Sequence, residues 1–132
     1  YTKFKLAQPV VPRGLKEMFF PLTLNQYTKK NRIPIEDTEF LLSLCDLSLE
    51  IRFQQLPFSY RIFISALKTL NQSERVLINT KGIDHENSIR LQELITRSVQ
   101  KGKTVVLFDN SYFHPLKFNL PWVKMVEITK LY

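Results

Sequence analysis

The sequence predicts an α/β fold in which helices cover a layered parallel β-sheet. Two short, continuous apolar runs, at 76–78 and 104–108, carry this prediction, because uninterrupted Val, Ile and Leu are typical of strands buried on both faces of a parallel sheet. An amphipathic segment at 86–100 separates the two runs. A strand, helix and strand joined by a crossover of this length must form a parallel, right-handed unit.

Two further helices are expected before the first of these strands. The one at 59–70 starts with Ser59, a residue type that caps helix N-termini. The other spans 36–46, where Glu36 and Asp37 suit the positive end of a helix dipole. The apolar side chains that form one stripe along the helix at 59–70 are Ile62, Phe63, Ala66, Leu67 and Leu70.

The helix at 86–100 has start and stop signals on both sides. Gly82 permits a turn, and Asp84 or His85 can cap the helix. We favour capping over an acid–base role for these two residues. The side chains expected on the buried face are Ile89, Leu91, Leu94, Ile95 and Val99.

The N-terminal residues alternate between apolar and polar positions. Phe4 and Leu6 lie on one face, and Lys3, Lys5 and Ala7 lie on the other. This period of two predicts a half-buried strand whose Phe4 and Leu6 face the core.

A connector at 47–57 and three other segments lie outside these elements. Residues 10–23 read as a loop, in which we expect Phe19 and Phe20 to be buried. A short helix can start within 22–27, and 122–130 has the spacing of a last strand.

Composition indicates one globular domain with an anionic partner or a solvated basic surface. The chain has 132 residues, 44% of them hydrophobic, and a net charge of +7, which suits nucleic acid, a nucleotide or the inner face of a membrane. The single cysteine, Cys45, fits a cytoplasmic location. No apolar run approaches the roughly 20 residues that cross a bilayer. The start at Tyr1 suggests a piece of a longer protein.

Several familiar reaction centres do not match the sequence. Gly102-Lys103-Thr104 precedes a strand and lacks the earlier glycine of a phosphate loop. One cysteine and two histidines give no zinc spacing. Ser111, His114 and Asp109 lie close in sequence and leave a small hydrolase open as a third reading, although the glycines of a nucleophile elbow are missing.

Short motifs nevertheless follow one another in an informative order. Gln8 ends the first strand, and Leu56-Pro57-Phe58-Ser59-Tyr60 opens the helix at 59–70. Val76-Leu77-Ile78-Asn79, Gly82-Ile83-Asp84 and Gly102-Lys103-Thr104-Val105 then follow in turn.

This order resembles the C-terminal portion of an ATP-binding cassette (ABC) ATPase domain, and the resemblance covers most of the chain. In that family a Leu-Ser-Gly-Gly-Gln signature opens a helix, a Walker B strand ends in Asp-Glu, and a D-loop reads Gly-Leu-Asp. Gly-Lys-Thr-Val then starts a strand that ends near a switch histidine. The resemblance implies a P-loop NTPase-like sheet with a small helical subdomain at about 22–70. It also implies nucleotide- or partner-binding roles for Gln8, Ser59, Tyr60, Arg61, Asn79, Asp84 and Asn110.

The departures from the family pattern fall on its chemistry. Pro57, Phe58 and Tyr60 replace signature glycines, Asn79 replaces the metal-supporting aspartate, and Asn110 stands where the histidine belongs. Hydrolysis needs metal, base and charge stabilisation together, so we expect no turnover. ATP and Mg²⁺ are expected only if a phosphate loop precedes Tyr1.

The resemblance therefore implies a degenerate, non-hydrolysing ABC-type domain with a structural or regulatory role in a transporter or related assembly. It would pair with a second ATPase domain or with itself, with Asp84 at the seam and Tyr60 and Arg61 facing the partner's nucleotide. The alternative is the sensor domain of a bacterial transcription regulator fused to a LytTR-type DNA-binding domain, which would contact nucleic acid.

Overall fold

A computed structural model describes residues 3–9, 14 and 18–108. Within these ranges, three parallel strands form one sheet in the order β1-β2-β3. The strands are β1 (Lys5–Ala7), β2 (Arg75–Asn79) and β3 (Thr104–Phe108). The predicted α/β class and the parallel pairing are confirmed.

In the part of the chain that the structure describes, four helices accompany the sheet, and a short 3₁₀ turn at Phe53–Gln55 lies between the second and third. They are α1 (Leu24–Lys30), α2 (Ile35–Cys45), α3 (Phe58–Gln72) and α4 (His85–Gln100). The helices predicted at 36–46, 59–70 and 86–100 are confirmed, with ends that shift by one or two residues.

Helix α3 forms the centre of the core. All five residues of its predicted apolar stripe are buried. Its start differs from the prediction, because the N-cap is Pro57, which makes no side-chain capping bond, and Ser59 lies buried in the first turn. The fixed φ of proline suits the entry into a helix.

Both crossover helices lie on one face of the sheet, which we call the inner face. Helix α3 packs on β1 and β2, and α4 packs on β3 and on α3. Ala7, Val76 and Ile78 point into this layer and are buried. When the strand order advances in one direction through right-handed crossovers, the crossover helices lie on the same face of the sheet.

Strand β1 has the opposite orientation to the one predicted, with its large apolar side chains on the outer face of the sheet. Phe4 and Leu6 are 38% and 46% exposed, whereas Ala7 is buried. The prediction that Phe4 and Leu6 face the core is therefore wrong. The small Ala7 side chain allows close approach of α3, and the larger residues take the other side of the pleat.

The segment between β1 and α3 folds around one aromatic contact. The rings of Tyr27 on α1 and Phe53 lie 4.7 Å apart, and Phe53 is fully buried. Thr23 caps α1 with a reciprocal capping box to Gln26. An isolated antiparallel bridge between Thr23 and Arg52 joins the two ends of this segment.

Other expectations have mixed outcomes. Phe19 and Phe20 are 71% and 77% exposed, so their predicted burial is wrong, and so is that of Ile89, which is 47% exposed. The strand predicted at 122–130 lies outside the described residues. Among the helices that the structure describes, none is long and apolar enough to span a membrane.

Candidate functional site

The carboxyl ends of the strands form the candidate site, since open parallel sheets bind ligands at this edge. Gln8 follows β1, Asn79 ends β2 and Phe108 ends β3. The register pairs Asn79 with Phe108, and extending the β1–β2 pairing by one residue places Gln8 beside Asn79. Gln8 and Asn79 thus each lie one residue beyond the paired Ala7 and Ile78, at the same edge of the sheet; we call these two positions the Gln8–Asn79 row.

Two helix N-termini adjoin this row. Helices α3 and α4 run opposite to the strands that they connect, so both begin at the carboxyl edge. Gly82 adopts a φ of +86°, and a Cβ at this position would lie 3.7 Å from the Phe58 ring. The turn after β2 therefore packs against the first turn of α3.

Hydrogen bonds fix the turn between β2 and α4. The Thr80 hydroxyl and backbone N–H both donate to the Phe108 carbonyl, at 2.7 and 2.9 Å. The Asn79 Oδ1 accepts the Lys81 N–H at 3.0 Å. This arrangement ties the end of β2 to the end of β3 and uses the Asn79 side chain as a turn acceptor.

Asp84 is the N-cap of α4. Its Oδ1 accepts the Asn87 backbone N–H at 2.8 Å, and its Oδ2 accepts the Asn87 side-chain amide at 3.0 Å. The capping interpretation is confirmed for Asp84, while His85 is the first residue of the helix. The charge also suits the positive end of the helix.

The remaining predicted site residues have separate environments. Ser59 is buried, and the half-buried Tyr60 ring lies 5.8 Å from that of Phe63 within the same helix. Arg61 donates to the Gln54 carbonyl at 3.3 Å. The side chains of these three residues are engaged with α3 and the segment before it, in contrast to the Gln8–Asn79 row.

Sequence reasoning missed two groups that shape this edge. The Ser65 hydroxyl donates to the Gln8 carbonyl, which anchors the end of β1 to α3. Thr80 is buried although it follows a strand in a polar turn. From sequence, a threonine after a strand can be predicted to be buried only when the neighbouring strand that accepts its hydrogen bond is known.

The described residues contain no group of three His, Cys, Asp or Glu side chains that could hold a metal ion. Asn110 lies outside the described ranges, and so do Ser111 and His114. Among the described residues, the polar side chains near the carboxyl edge include the Asn79 amide, the Thr80 hydroxyl and the Asp84 carboxylate, and each of them already makes a hydrogen bond within the chain.

Cys45 has the environment of a packed thiol. It lies on the buried side of α2, and burial raises its pKa to about 11, although the Arg90 guanidinium acts in the opposite direction. A thiol with a raised pKa carries little thiolate at neutral pH and is a poor nucleophile.

The free energy of unfolding is expected to fall as pH rises above about 9. Burial raises the pKa of Cys45 from 9.0 to about 11, and that of Tyr27 from 10.0 to about 12. The unfolded chain therefore ionises first, so the contribution is complete below pH 9 and is lost as pH rises through 9 to 12. Urea titrations from pH 7 to pH 11 measure this slope.

Tyr27→Phe is the informative variant for this pH dependence. Among the described residues, the buried Tyr27 hydroxyl has no hydrogen-bond partner. The variant should therefore keep its stability at pH 7 and lose part of the alkaline slope. An alkaline slope identical to that of the wild type would contradict the assignment.

Comparison of the chain with protein-family models, with curated proteins and with solved structures finds no match.

Proposed function

We propose that this chain is a degenerate, non-hydrolysing ABC-type nucleotide-binding domain that acts structurally or in regulation by pairing with a second ATPase domain. One observation supports the proposal above all others. Gln8 and Asn79, matched by motif order to the Q-loop and to Walker B, each lie one residue beyond the paired Ala7 and Ile78, at the carboxyl edge. The turn matched to the D-loop, which ends at Asp84, adjoins the same edge.

The side chains at this edge support loss of hydrolysis. Asn79 is neutral, and its oxygen accepts the Lys81 N–H in the turn. The Phe58 ring lies against Gly82, and by motif order Phe58 stands at a position where the family has a glycine, which would let the backbone approach a phosphate. Without a carboxylate at the end of β2, the site lacks the usual support for Mg²⁺ and for a polarised water.

Nucleotide binding and turnover test the proposal in one preparation. Titration with a fluorescent ATP analogue measures binding, and phosphate release measures turnover, each with Mg²⁺ and with EDTA. We expect phosphate release at the level of a protein-free blank whether or not the analogue binds. Clear Mg²⁺-dependent hydrolysis would contradict the proposal.

A matched pair of variants separates specific from contaminating turnover. Gln8→Ala changes the edge row, and Gln100→Ala changes an exposed glutamine at the far end of α4. Hydrolysis that is lost only in Gln8→Ala would belong to this site, and it would contradict the proposal that the domain does not hydrolyse nucleotide. Hydrolysis equal in both variants would point to a contaminant.

A second candidate function is a regulatory domain beside a LytTR-type DNA-binding domain. The net charge of +7 favours it, because basic proteins gain affinity near nucleic acid. The complete reading frame discriminates between the two. A strand-rich basic domain after Tyr132 favours regulation, whereas membrane spans or an adjacent permease favour transport.

A further inference from the structure

Three consecutive large apolar side chains are exposed shortly before α1. Met18, Phe19 and Phe20 are 75%, 71% and 77% exposed. Successive side chains of a helix or a strand point in different directions, so three such exposures in a row indicate that this segment stands away from the core. We call these three residues the apolar tip.

The size and shape of the apolar tip suit a lipid surface. Its side chains expose roughly 400–500 Å² together, and apolar patches of this size on a monomer often mark a site of interaction. A stable protein partner buries about 800 Å² per side. Insertion into the boundary between headgroups and acyl chains, about 5–10 Å deep, needs no shaped partner surface.

The region next to the apolar tip is basic. Residues 18–35 and 47–61 contain one acidic side chain, Glu50, and five basic ones. The ion pairs between described residues all involve other side chains, so the positive charge of this region is not neutralised by them. The basic residues are Lys29, Lys30, Arg32, Arg52 and Arg61.

Backbone contacts join the two ranges beside the apolar tip. The Phe53 N–H donates to the Leu22 carbonyl at 2.9 Å, and Thr23 forms an antiparallel bridge with Arg52. Arg52 therefore lies opposite the third residue after Phe20. Helix α1 follows directly and has seven residues, so the two lysines of its last turn lie only about 10 Å from its start.

We propose that the apolar tip and its neighbouring basic residues bind the anionic surface of a phospholipid membrane. The three apolar side chains insert below the headgroups, and the lysines and arginines lie against the negatively charged headgroups. Anionic lipid complements the charge of this region, which is the reason for choosing a membrane as the partner. The binding requires no nucleotide, so its test is independent of the proposed ABC-type function.

Sedimentation of the full chain with vesicles measures this binding. One set of vesicles contains phosphatidylcholine alone, and the other contains phosphatidylcholine with phosphatidylserine. We expect clear binding to the second set and weaker binding to the first, and added salt should weaken the difference by screening. The double variant Phe19→Ala/Phe20→Ala should bind the anionic vesicles at least about tenfold more weakly, because it removes apolar surface that the membrane buries.

Matched variants make the test specific. Lys29→Gln/Lys30→Gln should weaken binding to the anionic vesicles by about fivefold for each lysine. Lys3→Gln/Lys81→Gln removes the same charge from exposed positions outside the basic region and should leave binding nearly unchanged. Ile89→Ala is the apolar control, because Ile89 is 47% exposed on α4. Circular dichroism checks that each variant is folded.

The outcomes separate a membrane from the other partners that such a surface could bind. Losses in the phenylalanine and Lys29/Lys30 variants, but not in the two controls, support the proposal. A wild type that does not bind anionic vesicles would overturn it, and so would equal losses in the test and control variants. Two more measurements would reassign the tip. Binding of a labelled oligonucleotide that only the phenylalanine variant loses would assign it to nucleic acid, and a dimer in sedimentation velocity that only this variant loses would assign it to a second copy.

Discussion

Replacing Phe63 with alanine is expected to lower the free energy of unfolding by about 3–5 kcal/mol, the range for truncation of a buried aromatic side chain. Phe63 is fully buried in the middle of α3, and its ring contacts that of Tyr60. Natural domains have about 5–15 kcal/mol of stability in total. The loss would therefore remove a large part of what holds this fold together.

Urea unfolding followed by circular dichroism measures the change. Phe20→Ala is the matched control, because the same truncation at a side chain that is 77% exposed should alter stability by less than about 0.5 kcal/mol. Equal effects of the two variants would contradict the position of α3 at the centre of the core.

The central position of α3 explains why one side chain there has so large an effect. This helix packs against β1, β2, α2 and α4, so it contacts both the sheet and the helical segment. A cavity at Phe63 cannot be filled by movement of one neighbour alone, because the surrounding elements are held by other contacts. The same helix anchors the end of β1 through Ser65 and Gln8.

The elements that sequence predicted well are those whose patterns are local. The stripe of α3 repeats at the helical period, the runs of β2 and β3 are short and continuous, and Gly82 and Asp84 mark the turn after β2. The α/β class followed from these patterns. The burial on both faces that these runs predict is wrong for β3, since Val106 and Phe108 are 37% and 48% exposed.

The errors came from contacts between residues far apart in the chain. Phe53 lies in a segment that looked like a plain connector, yet it is fully buried because Tyr27 packs on it. Alternation in β1 indicated a two-sided strand, but only the position of α3 determines that Ala7 faces inward. The capping error at Ser59 has a local cause, since Pro57 also starts a helix well.

The sequence predicted which residues lie at the strand ends of the candidate site, but it did not predict where the other side chains of the site lie. Gln8 and Asn79 each follow a predicted strand, and the parallel register puts both of them one residue beyond the paired Ala7 and Ile78. Tyr60 and Arg61 belong to the same motif in sequence, but the half-buried Tyr60 ring packs on Phe63 and Arg61 donates to Gln54. Helix rotation, which depends on the whole core, decides where those side chains lie.

Replacing Asp37 with asparagine is expected to destabilise the fold by about 1.5–3 kcal/mol, the range for a hydrogen-bonded charge. The side chain of Asp37 is only 9% exposed, and its Oδ1 lies 3.3 Å from Arg97 and 3.2 Å from Lys101. Removal of the carboxylate leaves two cations facing a neutral amide. Arg97 stays in place against the Phe40 ring, 4.7 Å from its centroid, so it cannot simply turn away.

Glu86→Gln is the matched control for Asp37→Asn. Glu86 pairs with Arg90 at 2.8 Å on the surface of α4, but its side chain is 76% exposed. Solvent screens such a pair, so the same acid-to-amide change should cost about 0.5 kcal/mol or less. Urea unfolding of both variants at low and high salt compares them directly. Asp37 lies on α2, whereas its partners Arg97 and Lys101 lie on α4 and at the C-cap of α4. A large, salt-resistant loss in Asp37→Asn alone would show that this contact joins the helical segment to the α/β unit, whereas equal losses would reduce it to a surface pair.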